Sequence, residues 1–344
     1  MIAFFKKSFR RIYILLLFPK GITHFLLDSL SYLFKTTHIL GLPVNATIEL
    51  TNFCDQNCPV CETGSGLLKR QKGSIQFEDY KKIIDKMAPF TNTVLLYYMG
   101  EPFLNKDIYE IISYTKSKRI FIKICTNGQN VDAERVIQSG LDEIQFQISG
   151  VTQQTHSKYR VNGDLSKILK NVRTLTSLKK KKIKEGKKIK TNIYLGLILM
   201  RHNEHELSDF FDLAKELDID GTRLEAPCVR TTGQGELFLP DDKNYWLYDN
   251  KAFDRGILRH KKYKPNHCRW MFYSITITWE GDVIPCCRDV EGEYRMGNLL
   301  KDDIKTIWNG EKFKRFRKSV LKGSRPMPMC LLCDGLSFPS LEKV

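Results

Sequence analysis

The stretch ELTNFCDQNCPVCETGSG (residues 49–66) places Cys54, Cys58 and Cys61 within eight residues, directly after the strand-like run ATIEL (46–50). Ten cysteines in 344 residues are too few for a disulfide scaffold. They cluster instead of spreading at framework spacings, which points to metal ligation in a reducing compartment. The chain is therefore expected in the cytoplasm.

Outward from this triplet, five more β-branched or aromatic runs recur between helical patterns: TVLLYYM (93–99), RIFIKIC (119–125), EIQFQIS (143–149), NIYLGLILM (192–200) and GTRLE (221–225). Strand and helix repeated six times imply an α/β fold with a parallel sheet and right-handed crossovers, closed as a barrel or partial barrel. In one of the helices, Asn203 and Glu206 are expected to form a capping pair, with Leu207, Phe210, Phe211, Ala214 and Leu217 on one apolar face. Polar features stand at four equivalent strand ends: the triplet, GEP (100–102), TNG (126–128) and Ser149-Gly150. Chemistry gathers at the carboxyl ends of strands in such folds.

The spacing C-x3-C-x2-C supplies three ligands, whereas a closed structural zinc site takes four. A [4Fe–4S] cluster on three thiolates leaves one iron without a protein ligand, free to bind a small molecule. At this point the sequence resembles the radical SAM superfamily. The resemblance implies a partial (β/α)6 TIM-like barrel in which the open iron chelates S-adenosylmethionine (SAM). One electron from the cluster then cleaves SAM to methionine and a 5′-deoxyadenosyl radical that abstracts a substrate hydrogen. YMGEP (98–102) is similar to the family's GGEP motif, so Gly100, Glu101 and Pro102 are implied on the cofactor side, the first two toward its amino group. By the same resemblance Asn127 and Ser149 approach ribose or carboxylate, Arg160 corresponds to a following arginine, and Leu197 to Leu199 and Glu225 lie on the adenine side. Val60 stands where the family usually has an aromatic, which keeps a backbone contact to adenine and loses the stacking.

A second cysteine set lies downstream. Cys268 and Cys286 are separated by seventeen residues, Cys287 follows immediately, and Cys330 and Cys333 form CLLC. EGDV reads as a hairpin turn, and MGNLLKDDIKTIWNGEKFKRFRKS as a helix leading back to the final pair. Four thiolates from two separated elements suit zinc as well as iron–sulfur. The block is similar to the SPASM and twitch domains of radical SAM enzymes, which implies a small C-terminal α+β domain. Its single auxiliary [4Fe–4S] cluster would be held by Cys268, Cys286, Cys330 and Cys333, with Cys287 spare. The division implied is 1–44 as an N-terminal amphipathic helical segment, 45–235 as the core, 236–267 as a connector and 268–344 as the auxiliary-cluster domain. Cys125 and Cys228 read as buried apolar residues, with Cys228 the better placed to face a substrate.

The N-terminus carries Lys6, Lys7, Arg10 and Arg11 before the apolar run from Ile12 to Phe18, which is too short to span a bilayer and has no cleavage site. Residues 1–35 are expected to pack on the main domain or to lie peripherally on the inner face of a membrane. The net charge of +16 concentrates in SLKKKKIKEGKKIK (177–190), expected as a solvated loop, and KFKRFRKS (312–319). Neither run is interleaved with a stacking platform, so nucleic acid is not the expected partner. The resemblance implies an oxidoreductase served by a reduced flavodoxin or ferredoxin-type donor, its auxiliary cluster accepting the second electron. A short N-terminal segment favours a carbohydrate, polyol or lipid-linked glycan substrate. The alternatives are a peptide- or protein-modifying maturase, a nucleic-acid-modifying enzyme, or a non-catalytic iron–sulfur protein. No catalytic base can be named; Tyr97, Tyr98, His202, Arg223 and Glu225 lie near strand ends.

Overall fold

The computed structural model describes residues 19–323, 327–335 and 341. Six strands alternate with helices: β1 (Asn45–Ile48), β2 (Thr93–Leu95), β3 (Phe121–Thr126), β4 (Glu143–Ile148), β5 (Asn192–Ile198) and β6 (Gly221–Glu225). Helix α1 (Ile22–Leu33) precedes them. The crossovers are α2 (Phe77–Met87), α3 (Ile108–Ser117), α4 (Ala133–Ser139), α5 (Leu165–Lys184) and α6 (Leu207–Glu216). All neighbouring pairs from β1 to β6 are parallel, and the sheet order β6-β5-β4-β3-β2-β1 moves one step at a time, giving an open partial barrel. The period of two sorts β4 cleanly: Ile144, Phe146 and Ile148 belong to the apolar core, while the alternate Glu143, Gln145 and Gln147 are buried polar residues.

Three further strands continue the same sheet. β7 (Ser274–Ile277) pairs in parallel with β1, and β8 (Asp282–Ile284) and β9 (Gly297–Asn298) follow antiparallel. The EGDV turn joins β7 to β8 with Gly281 at φ 82°, a left-handed conformation that favours glycine. Helix α7 (Glu311–Lys322) follows, and the short helix Pro328–Leu331, which carries Cys330, comes after it. Across the β1/β7 seam runs a buried bidentate pair: Arg70 Nη1 and Nη2 donate to Glu49 at 2.9 and 2.6 Å, and Arg70 Nε donates to the Val290 carbonyl at 2.7 Å.

Three local expectations are corrected. Asn203 and Glu206 do not cap a helix: Asn203 bonds Met200 N–H and the Ser149 and Ile198 carbonyls, and Glu206 accepts from Val151 N–H. Both side chains tie the β4 and β5 loops together. The lysine run is not a loop up to Lys184 but the end of α5, where cations suit the helix dipole and Lys179 and Lys180 meet Asp220 and Asp218. The segment before CLLC is not one helix; Asn309-Gly310 separates a short helix Ile304–Trp308 from α7.

Helix α1 packs one face on the C-terminal region, with Phe25 against Tyr273, Tyr32 against Phe272, and Tyr273 Oη donating to Ser29 Oγ at 3.1 Å. Residues 1–18, which include the basic N-terminal run, lie outside the described residues. No helix among the described residues is long and apolar enough to cross a membrane. Asp28 of α1 is fully buried, and its carboxyl oxygens have no hydrogen-bond partner among the described residues. Burial pushes its carboxyl up to about 8, opposed by the Arg317 charge. The folded chain therefore keeps a proton that the unfolded chain releases, so stability falls as pH rises from the ordinary carboxyl range through about 8. Asp28→Asn should flatten that dependence: the loss of melting temperature between pH 5 and pH 8, followed by calorimetry, is expected to shrink in the variant.

Candidate active site

The cysteine loop leaves β1 and is closed at its neck. Thr51 Oγ1 and Asn52 N–H both donate to the Gly73 carbonyl, and Asn52 Oδ1 accepts from Gly73 N–H. Within the loop, Cys61 N–H donates to the Cys58 carbonyl at 3.2 Å. Gly100, at the end of the second strand's extension, presses onto this loop. Its φ is 78°, and a Cβ there would lie 2.5 Å from the Thr51 carbonyl and 2.6 Å from that of Phe53. Only glycine allows that approach.

Glu101 is a clamp. Its carboxylate accepts from Thr126 Oγ1 at 2.6 Å, Asn127 N–H at 2.7 Å and Phe103 N–H at 3.1 Å, locking the end of β3 and the short turn begun by buried Pro102. Burial pushes this carboxyl up to about 7. Asn127 reaches back to the cysteine loop, donating to Asp55 at 2.5 Å, while Gln129 and Asn130 donate to the same carboxylate. Sequence reasoning missed Asp55; its place inside the triplet was the available signal.

Arg160 stands beside the triplet. Its guanidinium donates to Gln56 Oε1 at 3.4 Å and feels the Cys58 and Cys54 thiols, with burial opposing its charge. Several buried polar atoms here have no partner among the described residues: Gln56 Nε2, Arg160 Nε, His156 Nε2, Ser149 Oγ and Gln147 Oε1. A Cβ on Gly163 would fall 2.6 Å from His156 Nε2 and 3.0 Å from Gln56 Nε2. Orphaned donors and acceptors around a glycine-lined space fit a polar ligand such as SAM. The triplet suits iron: burial pushes the Cys54 thiol up to about 12 and raises Cys58, so a metal cation is needed to hold them as thiolates. Val60 is buried with Tyr159, Met200, Val229 and Trp246, so residues 229–265 roof the loop.

The base candidates differ in kind. Burial raises the Tyr97 and Tyr98 phenols well above their ordinary value, and Tyr98 Oη donates to the Asp289 carbonyl. Burial lowers His202, whose Nε2 lies 3.1 Å from the Ser149 carbonyl. Arg223 pairs with Glu143 at 2.5 Å, and Glu225 accepts from Gln145 and Gln147.

The second set converges. Cys268, Cys286, Cys330 and Cys333 line one cavity of about 50 Å³ together with Trp270, Phe316, Met327 and Met329; Cys287 does not line it. Cys287 interacts with Cys286 and Cys333 of this set and also with Tyr97, Tyr98 and Cys228. The pair follows β8 after Pro285, at a turn in which Asp289 N–H donates to the Cys286 carbonyl at 3.1 Å. Burial pushes Cys330 up to about 12 and raises Cys268, and Arg288, its Nε without a partner, lies among the thiols. Four half-buried thiols beside one cation suit a thiolate-ligated cluster. Among the described residues no three His, Cys, Asp or Glu side chains meet tightly enough for a single metal ion.

A partial barrel with an open cysteine triplet at one strand end and a four-cysteine cavity beyond β7 defines a class, and comparison with known proteins identifies it. The radical SAM superfamily model matches residues 48–214, and the model of the SPASM iron–sulfur cluster-binding domain matches residues 268–334. The mycofactocin maturase MftC of Mycobacterium ulcerans (strain Agy99) is 27% identical over 311 residues, covering 83% of this chain and 80% of that protein. The PqqA peptide cyclase of Granulibacter bethesdensis is 26% identical over 321 residues, covering 85% and 80%. Streptococcus suis SuiB bound to S-adenosylmethionine aligns with a TM-score of 0.62 at 14% identity, over 80% of this chain and 68% of that one. BtrN in complex with AdoMet and 2-DOIA aligns at 0.52 and 18% identity, over 88% and 96%. These structural likenesses show the fold. The chain belongs to the radical SAM superfamily and carries a SPASM domain. Its cofactors are SAM and [4Fe–4S] clusters, including an auxiliary one.

Three variants probe this geometry. In anaerobically reconstituted protein, Cys286→Ala should lose about four irons while Cys287→Ala retains them. Glu101→Gln should turn a donor toward Asn127 N–H or Thr126, costing about 1–3 kcal/mol in thermal unfolding and weakening SAM binding by calorimetry.

Proposed function

We propose that this enzyme modifies a peptide. The observation that carries the reading is sequence likeness along most of the chain to proteins named for peptide maturation: the mycofactocin maturase and the PqqA peptide cyclase each align over 80% of their own length. A carbohydrate, polyol or lipid-linked glycan, the substrate favoured by the short N-terminal segment, has no comparable support.

The clusters and SAM, when bound, supply radical chemistry at the strand ends. The chain's own residues hold and orient. Cys54, Cys58 and Cys61 are the ligands proposed for the SAM-binding cluster, and Cys268, Cys286, Cys330 and Cys333 those for the auxiliary cluster. Gly100, Asn127, Ser149 and Arg160 form the wall for SAM, with Glu101 and Asp55 holding that wall in place. Between the two sites the barrel interior offers Gln145, Gln147 and Glu225 in one hydrogen-bonded group. Amide and carboxylate groups of this kind pair with a peptide backbone as readily as with each other. Burial lowers the His202 imidazole, whose Nε2–H donates to the Ser149 carbonyl, which leaves Nδ1 as its proton-accepting nitrogen.

The test is isotope transfer. Reconstituted protein, SAM and a low-potential reductant are incubated with either the peptide fraction or the small-metabolite fraction of cells grown in deuterated medium. Deuterium appearing in 5′-deoxyadenosine with the peptide fraction alone supports the proposal. Transfer from the metabolite fraction alone would return the substrate to the carbohydrate class.

A further inference from the structure

Helix α1 has two faces of different character. One is held against the C-terminal region by Phe25, Ser29 and Tyr32. The other presents Leu26, Leu30 and Leu33, followed by Phe34, exposed by 58%, 45%, 70% and 71%. Their spacing is i, i+4, i+7, i+8, which is one helical stripe. Of the twelve large apolar side chains exposed among the described residues, five fall between residues 26 and 40, Leu40 being the fifth. Scattered single exposures need no explanation, but a stripe of this kind marks an interaction surface.

The surroundings are basic. The acidic residue of α1, Asp28, is buried, so the exposed stripe carries no negative charge. Lys35 follows the helix and, with Lys264 and Arg269, acts on His267 at its end, while Lys305 acts on His24. Helix α7 packs against the chain just after α1, with Arg317 Nη1 donating to the Thr37 carbonyl at 3.2 Å. Its Lys312, Arg315, Lys318 and Lys322 are exposed. The KFKRFRKS run, which the catalytic site does not use, is thus anchored through Arg317 to the segment that follows α1.

We propose that the outward face of α1 docks on an anionic membrane surface, its leucines entering the headgroup boundary and the neighbouring cations meeting acidic lipids. Charge selects this occupant. A second copy of a chain with net charge +16 would bring like charges together, and so would residues 1–18, which carry Lys6, Lys7, Arg10 and Arg11. An anionic bilayer satisfies the apolar stripe and the cations at once. The inference is independent of the substrate.

The full chain is sedimented with phosphatidylcholine vesicles, either pure or containing about one part in four of phosphatidylglycerol. Binding is expected to the anionic vesicles and to fall with added salt. Leu30→Glu with Leu33→Glu should weaken it about tenfold or more, and Lys318→Glu with Lys322→Glu should also weaken it. Unchanged iron content and thermal unfolding confirm that the variants are folded. No binding by the wild type, or equal binding by the leucine variant, would overturn the proposal. So would a wild-type dimer that the leucine variant disperses, because the stripe would then be a subunit contact.

Discussion

The buried pair between Glu49 and Arg70 joins the pieces on which everything else rests. Glu49 directly follows the first strand, Arg70 lies at the neck of the cysteine loop, and the same two side chains reach Trp279 N–H and the Val290 carbonyl of the SPASM region. Both are almost without solvent, at 4% and 0% side-chain exposure. A buried ion pair holds only when its remaining donors and acceptors are satisfied, and here the planar guanidinium has three partners in one plane-matched arrangement. Lysine has no fixed fork of parallel N–H donors with which to hold both carboxylate oxygens while a third donor meets the carbonyl. The pair thus sets the cysteine loop and the second cysteine set in one frame.

Polarity inside the barrel follows from strand alternation. Strand β4 gives its isoleucines and phenylalanine to the helices and its glutamate and glutamines to the interior, where Glu143 meets Arg223 and Glu225 meets the glutamines. Near the triplet this pairing stops. Gln147 Oε1, Ser149 Oγ, His156 Nε2 and Arg160 Nε are left without partners among the described residues. These atoms cluster where a ligand belongs.

Much of this was legible in the sequence, because strand periodicity and cysteine spacing are local. All six strands lie where the β-branched runs place them, with β2 ending early at Leu95. The triplet, Gly100 and the CLLC pair were equally plain. What escaped was set by contacts between distant segments. Asn203 and Glu206 have the spacing of a capping pair, but tertiary hydrogen bonds to the β4 loop claim both side chains. Asp55 looks like any loop acid until Asn127, Gln129 and Asn130 gather on it. The choice between Cys286 and Cys287 depends on which side chain faces the cavity, and adjacency in sequence carries no such information.

Leu332, between Cys330 and Cys333, packs into the apolar group that contains Cys58 and Val60. The turn carrying the last two thiols is thereby part of the wall behind the first site. Thermodynamic linkage runs both ways through such a contact: whatever orders one turn lowers the entropy cost of ordering the other. The packing behind the first cysteine set is in this sense shared with the turn of the second, so a change of volume at Leu332 bears on both.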